Sequence, residues 1–440
     1  MLGGMNEENE RHRSAAHLLY KLAKPLRVLS ALGWEGRLRE EFLASGGEKL
    51  PEPRYERFDA QPVIDGVAEV RRRLRPGSVA DDWLGREARA IEATACMLAA
   101  AGTPAFFEYS RELYGVPTRP IRFDPTTPLE LARQVQAAIA EFTGAKLLPP
   151  PVRDRTGAEV AAELEAGVRL HFGDAAPKVE LVDELSANAL ATATRIKVRR
   201  DAMFTQRDAA QLLNHEAFIH VATALNGQAQ TDLPILAVGH PGTTRTQEGL
   251  AVFSEFVSGT LELDRLRRLA ERVVAVQMVC EGADFITLYR WFLDRNVSGG
   301  RASEEQAFES TRRIFRGAPL TGGAPFTKDC GYLSGLLAVL MFVRAAFACN
   351  RSDTLGLLFA GKLDLAALPA LADLRRRGLC RRARFLPPWA AEPGWVLSYI
   401  TLSTFLSRVD LSAVAAGVKQ ALDACPPPDS SDEAPRESGN

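Results

Sequence analysis

Histidine and cysteine are scarce here, six of each in 440 residues. The cysteines, at 96, 280, 330, 349, 380 and 425, form no CxxC pair. Their scatter argues against a disulfide framework and fits reduced thiols, so the expected compartment is the cytoplasm. Charge of one sign is also lacking: 54 Lys and Arg face 55 Asp and Glu. Such a chain has no general attraction for nucleic acid. Long apolar runs are missing too. The longest strongly apolar one, Tyr332 to Val343, is interrupted by Ser334 and stops at Arg344. That length suits a buried helix rather than a bilayer span, and no membrane association is expected. Met1 to Ser14 is polar and does not read as a signal peptide.

What is present allows a large core. With 46% apolar and 25% charged residues, the chain can form one elaborate domain or two lobes. The patterns predict an α+β, mainly helical protein. Four parts are expected: a flexible N-terminus (1–14), an N-terminal helical lobe (15–150), a core carrying the motifs described below (151–424) and a disordered tail (425–440). Helical spacing covers His17–Leu32, Pro62–Leu74 and Asp81–Leu113. Thr127-Pro128-Leu129-Glu130 starts a further helix that should end at Gly144, and Pro149-Pro150-Pro151 is a rigid connector. Thr156 caps a helix ending near Gly173. Apolar and polar residues alternate over Lys178–Val198, which predicts two or three short strands. Thr205-Gln206-Arg207-Asp208 is a capping box opening a central helix that stops at Asn226-Gly227. Pro241-Gly242 marks a loop, with a helix from about Thr246. Leu261–Arg295 reads as one long amphipathic helix, Ser303-Glu304-Glu305-Gln306 as the cap of the next. Further helices are expected over 328–348, 364–377, 394–408 and 411–424.

Two of the six histidines frame a glutamate on the central helix: His215, Glu216 and His220. The familiar zincin spacing, H-E-x-x-H, puts both rings within ~40° of one another on a helix. The spacing of five found here separates them by ~140° on a regular α-helix. Both can face one Zn2+ only if the extra residue is absorbed as a π-bulge. The sequence thus demands a widened helix over 215–220. A catalytic zinc takes three protein ligands and a water. With His215 and His220 as two, Glu248 is the first choice for the third, placed in the first turn of the next helix. Glu255, two turns on, is expected to hold an imidazole N–H instead. Glu216 is placed to take a proton from the water and pass it to the leaving amine. The plain alternative is an amphipathic helix with two solvated or core histidines.

His215-Glu216-x-x-x-His220 together with Thr246-Gln247-Glu248-Gly249-Leu250-Ala251 resembles the bacterial QEGLA-motif family, labelled as modulating flavohaemoglobin expression. That family is related to the microtubule-associated tyrosine carboxypeptidases. The resemblance extends through Glu112-Leu113-Tyr114-Gly115, Phe326-Thr327-Lys328-Asp329, Tyr332-Leu333, Phe359-x-Gly361-Lys362 and Phe385-Leu386-Pro387-Pro388-Trp389. The H-E-x-x-x-H spacing is also similar to that of dipeptidyl peptidase III. The resemblance implies a gluzincin-like metallopeptidase with His215, His220 and Glu248 on zinc and Glu216 as base. It also implies a carboxypeptidase acting on a peptide or protein C-terminus. The tubulin substrate belongs to the eukaryotic branch and does not carry over.

A peptidase needs an electrophilic group for the developing oxyanion. Tyr332 is the first candidate and Lys328 the second, although both also read as the start of a helix. A carboxypeptidase needs a cation for the terminal carboxylate. Arg245, Arg195 and Lys197 are candidates, with Arg199 beside them on a strand that could pair with substrate. Each also reads as a solvated charge. The arginine run at 375, 376, 377, 381, 382 and 384 reads best as cations at a helix end stopped by Gly378. His240 reads as a loop residue. Two other functions stay open: a metal-binding regulator without turnover, and a metal-dependent amidase. Glu216 argues for catalysis, because a structural site needs no carboxylate beside its ligands.

Overall fold

The computed structural model describes residues 2–122, 124–143, 152–183, 185, 188–295, 300–410 and 412–425. The protein is α+β and mainly helical, and its contacts form two units, Met1–Glu392 and Pro393–Asn440. The second unit holds helices Gly394–Arg408 and Ser412–Asp423, where the sequence placed them. The Pro149–Pro151 connector and residues 426–440 lie outside the described residues.

The N-terminus departs from expectation. Residues 2–14 are not flexible coil but the opening of helix Leu2–Ala23. His12 there is fully buried: its Nε2 lies 3.1 Å from Asp81 Oδ2, and its Nδ1 accepts from Arg377 at 2.6 Å. Burial through ion pairs leaves no apolar stripe to read, so the segment looked like a polar leader.

Two patterns read as single helices are broken. Asp81–Leu113 is Val79–Ala99 and Ala105–Tyr114, parted by a turn in which Gly102 N–H bonds the Gly317 carbonyl. Leu261–Arg295 is Leu263–Cys280 and Phe285–Arg295. Gly282 turns the chain there with φ +105, and Asp284 accepts the Thr287 N–H at 2.8 Å to start the second helix. The helix assigned to Ser303 begins at Gly300, so Ser303 is a buried helical residue rather than a cap. The Thr caps expected at 127 and 156 form, each hydroxyl accepting the N–H of the glutamate three residues on.

Strands β1 (Arg155–Thr156), β2 (Lys178–Val182), β3 (Ala189–Ala191), β4 (Arg195–Arg199) and β5 (Met203–Phe204) are short. β1 and β5 form an antiparallel pair, and the other sheet has the order β2-β4-β3, parallel then antiparallel. Ile196 and Val198 alternate inward along β4 and are fully buried. They pack with Val160, Leu164 and Val168 of helix Gly157–Phe172 and with Ala217, Phe218 and Val221 of the central helix. The sheet therefore seats the central helix on a shared apolar core.

The apolar run seen in the sequence is longer than it looked. A 3-10 turn at Thr327–Cys330 continues into helix Gly331–Ala348. The 22 residues are long and apolar enough to cross a bilayer, yet half of that stretch is buried inside the protein. Tyr332 and Leu333 join a core cluster with Val252, Leu269 and Val273. The helix also crosses helix Pro241–Val257 at two glycines. A Cβ on Gly249 would lie 2.3 Å from the Gly335 carbonyl carbon, and one on Gly335 would lie 2.2 Å from the Arg245 oxygen. Backbone meets backbone here, which fixes the turn carrying Glu248.

Candidate metal and active site

The central helix starts as an α-helix at Asp208–Leu212, widens to π over Leu213–Val221, and returns to α at Ala222–Gln228. This is the distortion that the five-residue spacing demanded. It brings the rings of His215 and His220 to 5.0 Å between centroids, 81° apart in plane. Helix Pro241–Val257 starts five residues before the expected Thr246, with Pro241 in its first position and His240 as its cap. Glu248 is therefore a residue of the second turn, not the first. Its Oε2 lies 3.7 Å from His215 Nε2 and 3.8 Å from His220 Nε2.

Two of these groups, His215 and Glu248, are held from behind. His215 Nδ1 donates to Glu255 Oε1 at 2.6 Å, which leaves Nε2 as the bare lone pair facing the centre. Glu255 is fully buried and also takes Arg265, at 3.2 and 3.3 Å. Burial opposes its charge, but Arg265 and His215 hold its carboxyl down at about 2. Burial likewise works against a charged His215, yet Glu255 outweighs it and the imidazole pKa rises. His220 goes the other way: burial, with the Lys362 and His215 charges behind it, favours the neutral ring. Glu248 Oε1 accepts from Lys328 Nζ at 2.9 Å. Burial notwithstanding, the Lys328 charge and the two imidazoles keep the Glu248 carboxyl well below its ordinary range. His215, His220 and one Glu248 carboxylate oxygen converge, and together they could hold a metal ion.

Glu216 follows His215 in the widened turn. Its Oε2 accepts the Ala191 N–H of β3 at 3.1 Å. This contact changes the reading of the sheet. β4, expected to meet substrate, lies between β2 and β3 with both edges paired. β3, like β2, is an edge strand: Thr192 N–H and the Asn188 carbonyl pair with β4, so Ala189 and Ala191 turn their polar groups outward. Arg195 faces Glu180 of β2 at 3.5 Å, Lys197 is half-buried on β4, and Arg245 faces Asp364 at 3.6 Å. Among the described residues no side-chain hydrogen bond or ion pair joins these three to His215, Glu216, His220 or Glu248.

Tyr332 and Lys328 do lie at the site. The Tyr332 hydroxyl is 3.2 Å from Lys328 Nζ and 3.5 Å from Arg313, which also grips Asp329 at 2.8 and 3.0 Å. Arg272 stands over the Tyr332 ring, its guanidinium 5.8 Å from the centroid. Burial and the Arg313 charge push Arg272 down to about 9. His240 is elsewhere, its Nε2 2.5 Å from Glu87.

Sequence reasoning gave no role to two neighbours. Lys362 Nζ donates to the His220 carbonyl at 3.1 Å, and burial draws its pKa down to about 8 against the pull of Glu248 and Glu216. Burial and the nearby Glu248 and Tyr332 raise the Tyr114 phenol, over the opposing charge of Lys328. Both lie in segments that carried the resemblance, but an isolated Lys or Tyr has no spacing that announces a site.

The family model described as microtubule-associated tyrosine carboxypeptidase matches residues 40–408. The chain belongs to this family. The match takes in the π-segment, Glu248, Lys328, Tyr332 and Lys362, and it makes the relation to tyrosine carboxypeptidases more than a likeness of motifs. Among curated proteins, none matches the chain. The family's described activity is removal of a C-terminal residue, a peptide-bond hydrolysis, and the site has the groups that hydrolysis uses.

Proposed function

We propose that this protein is a zinc-dependent carboxypeptidase of gluzincin type that shortens a peptide or protein C-terminus in the cytoplasm. The observation that carries the reading is the convergence of His215 Nε2, His220 Nε2 and Glu248 Oε2, with Glu216 next to His215 in the same widened turn. The fit is chemical as well as spatial. Tetrahedral ligands at ~2.0–2.1 Å from zinc sit about 3.3 Å apart, close to the 3.7 and 3.8 Å found here. The donor set of two imidazoles and a carboxylate leaves a position open, as catalytic sites do.

When bound, zinc supplies an acidified water and a polarised carbonyl. The chain's own residues do the rest. Glu216 accepts the proton of the attacking water and returns it to the leaving amine. Its hydrogen bond to the Ala191 N–H aligns the carboxylate with the β3 edge, where an extended peptide can add through the Ala189 backbone and the Ala191 carbonyl. Tyr332 is held between Lys328 and Arg313 and turns its hydroxyl proton to the developing oxyanion. Lys328 orients Glu248. Arg272, buried over the Tyr332 ring and 3.8 Å from Asp329, is the cation we assign to the substrate carboxylate, in place of Arg245, Arg195 and Lys197.

Zinc content and peptide products test this together. The purified protein is expected to hold one zinc and to shorten members of a C-terminally varied peptide library, read by mass spectrometry. Glu216→Gln should keep the metal and lose turnover. Wild type that binds zinc but shortens nothing, or a Glu216→Gln variant that cleaves equally well, would overturn the mechanism.

A further inference from the structure

A π-segment is a costly form of helix, and something must hold it open. Ala222 N–H reaches the Ala217 carbonyl five residues back, and the helix then resumes α spacing. Side chains add donors to carbonyls along the segment, beside the backbone donors that Ala210 and Ile219 keep. Asn214 Nδ2 donates to Ala210 O at 2.9 Å at the entry, and Thr223 Oγ1 to Ile219 O at 2.7 Å at the exit. Lys362 Nζ donates to His220 O at 3.1 Å. Asn214 and Thr223 belong to the helix itself, whereas Lys362 lies 142 residues beyond His220.

The segment bearing Lys362 is anchored to the same helix. Asn226 Nδ2 donates to the Phe359 and Phe385 carbonyls at 2.8 and 2.7 Å, and Gln230 Nε2 to the Ala360 carbonyl at 3.0 Å. Lys362 N–H bonds the Leu236 carbonyl at 2.7 Å. A Cβ on Gly361 would lie 2.4 Å from that same oxygen, so only glycine lets the strand of chain come this close. The motif Phe359-x-Gly361-Lys362 is thus a fixed arm ending in an ammonium on the carbonyl of one imidazole's own residue.

We propose that Lys362 is a positioning residue that holds the π-turn open from outside and thereby sets the affinity of the metal site. The metal part rests on the zinc reading above; the tie to the helix does not. Replacing Lys362 by Met keeps length and apolar stem and removes the donor; Lys362→Arg restores one. Hydrogen exchange of the metal-free protein reads the tie alone. Amides of 213–223 should exchange faster in Lys362→Met than in wild type, at unchanged melting temperature, and recover in Lys362→Arg. Zinc competition with a chelator reads the consequence, an affinity loss of about tenfold to a hundredfold in Lys362→Met. Cobalt substitution should show a weakened tetrahedral visible band in the same variant. Unchanged exchange over 213–223 in Lys362→Met overturns the tie. Faster exchange with wild-type zinc affinity overturns the link to the metal. Wild type that takes up neither metal sinks the zinc reading and the affinity claim with it, and exchange then decides the tie by itself.

Discussion

Glu248 shows how much a single side chain can be asked to do. One oxygen faces two imidazoles and the other is tied to Lys328. Truncation to Ala should remove most of the bound zinc, measured by metal analysis after gel filtration. Retained stoichiometric zinc would move the third ligand elsewhere. Glu255 acts one step back. Glu255→Gln keeps an acceptor for His215 Nδ1–H but loses the charge facing Arg265, so zinc affinity should fall about tenfold to a hundredfold without loss of stoichiometry at saturating metal. Gln247 is a quieter case. The Thr223 hydroxyl lies 2.7 Å from the Ile219 carbonyl and 2.9 Å from the Gln247 side-chain amide. One hydroxyl proton serves one acceptor, so with Ile219 taking it the amide N–H2 of Gln247 meets the oxygen of Thr223.

At the scale of elements, the crossing of helices Pro241–Val257 and Gly331–Ala348 decides where Glu248 stands. Gly249→Ala puts a methyl group against backbone atoms that cannot rotate away. It should cost about 1–3 kcal/mol in a denaturant melt. Gly36→Ala, where a Cβ meets nothing within 4 Å, is the control and should change little. The same scale shows what could be read in advance. The widened helix was legible because histidine is rare and a spacing of five on a helix admits few solutions. The caps at Thr127 and Thr156 were legible because capping is local. The breaks at Gly102 and Gly282 were missed because apolar spacing continues through them, and what interrupts it is a tertiary contact. β3 as an open edge was missed for a related reason: strand order depends on pairing, and three residues carry too little pattern to show it. Lys362 was seen only as part of a resemblance, because its partner is a backbone carbonyl far back in the chain.

For the molecule as a whole, the buried pair His12–Asp81 joins the first helix to the body and should appear in its pH response. Burial lowers the His12 pKa below 6.5, with Asp81 opposing and Arg11 and Arg377 assisting. Arg377 donates to Nδ1 and Nε2 donates to Asp81, an arrangement that requires the neutral ring. Glu8, 3.9 Å from Nε2, is the other nearby carboxylate. Below the unfolded pKa the unfolded chain takes up a proton that the folded one refuses. The stabilisation is therefore complete above about pH 6.5 and is lost as pH falls below it. Asp81 adds a second loss at lower pH: burial raises its carboxyl, but Arg11 and His12 bring it below its ordinary value, so its contribution fades as pH drops under about 4. His12→Gln keeps a donor for Asp81 and an acceptor for Arg377 without titrating. Its melting temperature should fall less than that of wild type between pH 7 and 5, and equal slopes would show that the pair is silent.

The widened turn between His215 and His220 amounts to one codon. Losing a single residue from Ala217–Ile219 would leave two histidines four apart, which an ordinary α-helix already aligns. The Lys362 ammonium, now on the His220 carbonyl, would then have no widened turn to brace. A single inserted residue is what makes the wider turn necessary.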